Sequence, residues 1–307
     1  MTSITPLDYC DYYSSLYGIN LYIKRDDLYP FTGGSSKARK IQFILRDIIE
    51  GGYNALVSAG SAESNHARVV SLVGAQYGWP VTVVIHDDGE NIRKHNHNMK
   101  IMEAAGAKLI CCDLKEVKGQ MDHAMEDYLG KGYKPYYIYG GAHNLLGVHA
   151  FYMAYLEVVE QIKFNINHIV LASGTGSSQA GLIAAAGKLE HKTRIQGISV
   201  SRDKYRGKVE IENILVEYCR SNNLDLKYSS IYLYDDFLFG GYGKTNEKLD
   251  KLIKEAAKNS GLLLEPTYTA KAFYGLTELV KDQIIKPDDN VVFWHSGSVI
   301  STINNYL

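Results

Sequence analysis

The stretch NALVSAGSAESNHARVVSLVGAQYGWPVTVVIH, residues 54 to 86, decides the fold. NALVSAG is a short apolar run, SNHARVVSLVGAQYG has apolar residues at helical spacing and stops at a glycine, and VTVVIH is a second β-branched run. Apolar strands without polar alternation are buried on both faces, and a helix between two of them makes a crossover. The stretch therefore predicts a β-α-β unit in a parallel sheet.

The same alternation continues on both sides. Upstream, KARKIQFILRDIIEGG places Ile41, Ile44, Leu45 and Ile48 on one helical face and closes on glycines. Downstream come a helix over HNHNMKIMEAAGA, a strand over KLICCD, a helix near residues 117 to 130 and a strand over PYYIYGG. A second set follows Gly147: helices over 149–162, 178–190, 208–221, 244–261 and 269–282, with strands over HIVLASG, RIQGISVS, SIYLYDD and VVFWHSG. Two α/β blocks divide near residues 140 to 147, and six prolines leave little room for a linker. Close packing with a ligand cleft between the blocks is expected.

Bulk composition narrows the function. The 307 residues carry 33 Lys plus Arg against 34 Asp plus Glu, a net charge of -1, so no positive field points to nucleic acid or an anionic membrane. A small-molecule partner is expected. Cys10, Cys111, Cys112 and Cys219 form neither a C-x-x-C pair nor a disulfide framework, which favours a reducing, cytoplasmic setting. The N-terminus shows no signal-peptide pattern, and no apolar run is long enough to span a membrane.

Chemistry concentrates at strand ends. In HIVLASGTGSSQAGL a buried strand enters Gly174, Thr175, Gly176, Ser177 and Ser178 and then a helix. Glycines admit a ligand to the backbone and the free N–H groups of a helix start favour an anion, so this is a candidate phosphate cradle. It matches neither the Walker pattern nor G-x-G-x-x-G. In GSAESNHAR, Ser64, Asn65 and His66 sit at the carboxyl end of a strand, where open α/β sheets collect ligands, although helix capping alone also explains Ser64 or Asn65. FTGGSSKARK puts Lys37 on the first helical turn after a Gly/Ser turn. Tyr242 stands between glycines in FGGYGKT, Tyr268 and Thr269 follow in LEPTYTAKA, and Ser296 ends the last strand in WHSGS. A lysine amine, an anion cradle and polar ring partners together describe a pyridoxal phosphate site.

In this order, LYIKRDDL, GGSSKARK, SNHAR, YGGAHNLLG, SGTGSSQAGL, GGYGKT, LLLEPTYTAKAFYGL and FWHSG, the chain resembles the fold-type II pyridoxal phosphate enzymes. It is most similar to the branch of D-cysteine desulfhydrase and 1-aminocyclopropane-1-carboxylate deaminase. The resemblance implies two open α/β/α lobes of the tryptophan synthase β kind with mostly parallel sheets, the cofactor in the cleft. The larger lobe would be 1–40 plus 148–307 and the smaller 41–147. It implies that Lys37 forms the Schiff base, Asn65 bonds the ring oxygen and the 174–178 loop holds the phosphate. Ser64 would touch the substrate carboxylate or assist proton transfer, Tyr242 and Tyr268 would be the two active-site tyrosines, and Thr269 or Ser296 would face the ring nitrogen. A small amino acid is the implied substrate and a homodimer the implied assembly.

The position after the second tyrosine is glutamate in the deaminases and threonine in the desulfhydrases. Thr269 thus favours β-elimination from a D-cysteine-like substrate over ring opening. Ser36, Glu63 and GGAHN depart from the branch's usual asparagine, glutamine and G-G-S-N. A non-catalytic protein that binds pyridoxal phosphate or an amino acid is the alternative these departures raise. A metal enzyme built on His86, Asp87, Asp88, His95 and His97 is disfavoured by their spacing, which reads as solvated surface, and no metal is expected. Cys111 and Cys112 are expected to pack.

Overall fold

A computed structural model describes residues 3–86, 97–225 and 230–297. Its elements run β1 (Leu7–Tyr9), α1 (Asp11–Tyr17), β2 (Asn20–Arg25), α2 (Ser36–Glu50), β3 (Ala55–Gly60), α3 (Asn65–Tyr77), β4 (Val81–His86), α4 (His97–Ala104), β5 (Lys108–Cys112), α5 (Val117–Gly130) and β6 (Pro135–Ile138). They continue with α6 (Leu145–Gln161), β7 (His168–Ser173), α7 (Ser177–Lys188), β8 (Arg194–Ser199), α8 (Lys204–Ser221), β9 (Tyr232–Tyr234), α9 (Glu247–Ser260), α10 (Thr269–Lys281) and β10 (Asn290–His295).

The strands form a four-stranded sheet in the order β5-β4-β3-β6 and a six-stranded sheet in the order β1-β2-β10-β7-β8-β9. Every pairing is parallel except β1 with β2. Both sheets are covered on two sides because successive side chains of a strand point to opposite faces. In β10, Val292 and Trp294 join one core with Ile169 and Leu171 of β7, while Val291 and Phe293 join another with Val170. In β3, Leu56 packs under α2 and α3, whereas Ala55, Val57 and Ala59 pack on α5. The α/β class with mostly parallel sheets is as the sequence predicts.

Three N-terminal elements were not read from the sequence, and β2 is the consequential one. It lies beside β10 in the larger sheet, with Lys24 opposite Trp294. Lys24 is fully buried and pairs with Glu157 of α6, so a charged residue interrupts the pattern that marks the other strands. Cys111 also departs from expectation: it is exposed while Cys112 is partly covered, since neighbours along β5, an edge strand, face opposite ways. Among the described residues no helix is long and apolar enough to cross a membrane, and no group of three or more His, Cys, Asp or Glu is placed to hold a metal. Of the residues considered for a metal, Asp87, Asp88 and His95 lie outside the described ones.

Candidate active site

The carboxyl ends of β3, β7 and β10 open onto one pocket with about 610 Å³ of atom-free space, part of it open to solvent. Lys37, Asn65, Tyr268, Ser296 and four members of the predicted cradle, Gly174, Thr175, Gly176 and Ser178, line it. This is the ligand end of a parallel α/β sheet.

Lys37 gets there through a strained turn. Gly33, Gly34 and Ser35 hold φ of 77°, 80° and 94°, and the Ser35 hydroxyl accepts from Lys37 N at 3.3 Å, capping α2. A Cβ on Gly34 would lie 2.5 Å from Asp27 O, so only glycine fits there. The turn leaves the Lys37 ammonium to donate to Gly141 O at 3.3 Å, and burial lowers its pKa to about 8. Gly141, at φ 69°, lets the backbone pass between Lys37 and the cradle; its Cβ would sit 3.0 Å from Thr175 Cγ2 and 3.5 Å from Lys37 Nζ.

Below the turn lies a buried ion cluster. Asp26 and Arg39 are almost wholly excluded from solvent, and Arg39 donates to Asp26 at 2.7 Å and to Glu157 at 2.6 Å. Asp26 also accepts from Ser36 Oγ at 3.0 Å and from Trp294 Nε1 at 2.9 Å. Burial alone would raise the Asp26 carboxyl, but Arg39, Trp294 and Lys24 hold it below the usual range. The cluster ties the start of α2 to β10 and α6, and so fixes the base from which Lys37 projects.

The cradle opens α7, whose first N–H groups have no intrahelical acceptors. Ser177 is buried and does not line the pocket; its hydroxyl accepts from Lys40 Nζ at 2.7 Å. Burial, and then Lys37, push the Lys40 amine well below its ordinary value. Arg202 adds a guanidinium, donating to Gly174 O at 2.6 Å. Two cations whose partners here are neutral oxygens stand on a helix start: the arrangement fits a dianionic group such as a phosphate ester.

The other predicted residues are placed differently. The Ser64 hydroxyl accepts from Ala67 N at 3.2 Å as the cap of α3, and Asn65 Oδ1 accepts from Asn98 Nδ2 at 3.2 Å. His66 turns to Ser58 Oγ at 2.9 Å, and burial, followed by Lys37 and Lys40, lowers its pKa to about 3, leaving the ring neutral. Tyr242 is 41 % exposed and outside the pocket lining, but its hydroxyl lies 2.6 Å from that of Tyr268. Burial raises Tyr268 well above the usual phenol range, with Tyr242 adding to the shift.

Thr269 does not face the pocket. It is fully buried, and its hydroxyl accepts from Glu265 N at 2.8 Å. The Glu265 carboxylate in turn accepts from the backbone N–H of Thr267, Tyr268 and Thr269 at 2.9, 2.7 and 2.7 Å, and burial raises its pKa to about 7. Of the two hydroxyls proposed for the ring nitrogen, Ser296 is the one in the pocket.

Sequence reasoning missed Lys40, Asp26, Arg202 and Glu265. Lys40 had a readable signal, since residues i and i+3 share a helix face. The others did not, because their partners lie far along the chain or in backbone amides.

The pyridoxal-phosphate dependent enzyme family matches residues 2–297, and the chain belongs to that family. Its members bind pyridoxal 5'-phosphate. Solved structures share the fold. That of an ACC deaminase homologue superposes with TM-score 0.91 and 28% identity, covering 98% of this chain and 91% of that one. A hydrogen sulfide-producing enzyme from Fusobacterium nucleatum gives 0.68 and 18%, over 99% and 96%. Threonine deaminase isoform 2 from Solanum lycopersicum gives 0.67 and 19%, over 95% and 78%.

Proposed function

We propose that the chain is a pyridoxal phosphate-dependent lyase that eliminates the β-substituent of a D-cysteine-like amino acid and, with one water consumed in hydrolysing the resulting imine, releases pyruvate, ammonia and the leaving group. The cofactor, when bound, acts as an electron sink for the pair left at Cα. Lys37 is its anchor and the base at Cα: burial lowers its pKa to about 8, so the amine gives up its proton far more readily than an ordinary lysine and a share of it is free base near neutral pH. The 174–178 loop, with Lys40 and Arg202 behind it, holds the phosphate, and Asn65 borders the ring. Tyr268, kept protonated by burial and in contact with Tyr242, hands a proton to the departing sulfur.

One observation carries the choice of elimination. Among the described residues lining the pocket there is no carboxylate, so Ser296 would offer the ring nitrogen a hydroxyl, which does not supply a full proton. Such a sink suffices for loss of a good β-leaving group and is poorly matched to opening a cyclopropane. The same reading divides the chain into lobes 1–40 with 148–307 and 41–147, takes substrate between them and pairs two copies of the chain.

The ACC deaminase homologue at 28% identity favours a second reading, ring-opening deamination. Product analysis separates the two. Sulfide and pyruvate from D-cysteine, with no 2-oxobutyrate from aminocyclopropane carboxylate, is the expected result. The reverse pattern establishes the second reading, and neither product with cofactor bound leaves a non-catalytic binder.

A further inference from the structure

Lys271 has no part in the chemistry above, yet it is one of the largest side chains wholly removed from solvent. It lies on the first turn of α10, three residues after Tyr268 and so on the same helix face. Its ammonium donates to Leu238 O at 2.8 Å and Gly241 O at 2.6 Å. Those carbonyls also close two consecutive turns: Gly241 N–H donates to Leu238 O at 3.0 Å, and Lys244 N–H to Gly241 O at 3.2 Å. Tyr242 sits in the second of them.

The segment needs such a fastening. Phe239, Gly240, Gly241 and Gly243 all have positive φ, 50°, 92°, 120° and 70°, a conformation that a glycine-rich chain readily leaves. Packing holds Phe239 edge-on to Tyr274 but leaves Tyr242 41 % exposed. The 2.6 Å contact between the Tyr242 and Tyr268 hydroxyls therefore depends on where the backbone of residues 238–244 is held.

We propose that Lys271 is a positioning residue, whose ammonium clamps the 238–244 double turn to the first turn of α10 and so keeps the Tyr242 hydroxyl against Tyr268. Its catalytic consequence rests on the reading of the two tyrosines as a proton-donating pair; the clamp itself does not.

Amide hydrogen exchange on the cofactor-loaded protein tests the clamp without a substrate. In K271M, exchange at residues 238–244 is expected to rise at least tenfold, with β7 and β8 unchanged. K271R, which keeps the charge and the donors, is expected to retain slow exchange. Unchanged protection in K271M, or equal loss in K271M and K271R, overturns the proposal. A double-mutant cycle then reads the consequence: K271M is expected to lower kcat for D-cysteine at least tenfold in the wild-type background and less than twofold in Y242F, with KM and cofactor affinity little changed. Equal losses in both backgrounds overturn it, whereas full activity of Y242F itself refutes the reading of the tyrosine pair and leaves the exchange result standing.

Discussion

Lys40 Nζ and Ser177 Oγ lie 2.7 Å apart, joining the second turn of α2 to the first residue of α7. Both groups are almost fully buried. A buried ammonium facing a hydroxyl is poorly compensated until an anion arrives. Replacing it should therefore have opposite effects on the two forms of the protein. K40M is expected to raise the melting temperature of the apoprotein while weakening affinity for pyridoxal phosphate about 10- to 100-fold, the loss of a charge-assisted hydrogen bond of roughly 1.5–3 kcal/mol. Thermal melts and a fluorescence titration with the cofactor measure the two. A lower apoprotein melting temperature with unchanged affinity would contradict this role.

The ion cluster beneath Lys37 makes a prediction about stability. Asp26 holds Arg39, Ser36 and Trp294 at once, and all four are buried. D26A leaves the Arg39 guanidinium with Glu157 as its remaining carboxylate and should cost about 3–5 kcal/mol in urea unfolding. A loss below about 1 kcal/mol would mean that the cluster is not a keystone of the fold.

The lowered pKa of Lys37 has a pH signature in the apoprotein. The folded amine titrates near 8 and the unfolded one near 10.5. Between those values the unfolded chain binds more protons, so this group's destabilising contribution shrinks as pH rises from about 8 towards 10.5. Comparing wild type with K37M isolates it from the other titrating groups. The stability advantage of K37M is expected to be full below pH 8 and to fall above it; an advantage independent of pH would show that Lys37 is not desolvated.

How much of this was legible in the sequence depends on the range of each interaction. The strands β3, β4, β7, β8 and β10 announced themselves because burial on both faces forces short apolar runs, and α2 because its apolar stripe rests on the small sheet. The helix α6 begins at Leu145, earlier than its apolar pattern indicates, because Asn144 caps it through Gly147 N. Lys37, Asn65, Tyr268, Ser296 and most of the cradle line one pocket because each follows or adjoins a strand end of the two sheets. Thr269 misled because residue type does not reveal orientation: α10 turns its hydroxyl onto Glu265. Arg39 and Asp26 were silent since each has a partner far along the chain, Glu157 at 118 residues from Arg39 and Trp294 at 268 from Asp26.

The most direct measurement is the visible absorption spectrum of wild type and K37A after incubation with pyridoxal phosphate and removal of the excess. Wild type is expected to keep a yellow band that a reactive amino acid bleaches or shifts, and K37A to lack that band while folding normally. A K37A protein with the wild-type band, or a wild-type protein that stays colourless, would contradict the assignment of Lys37 as the cofactor's anchor.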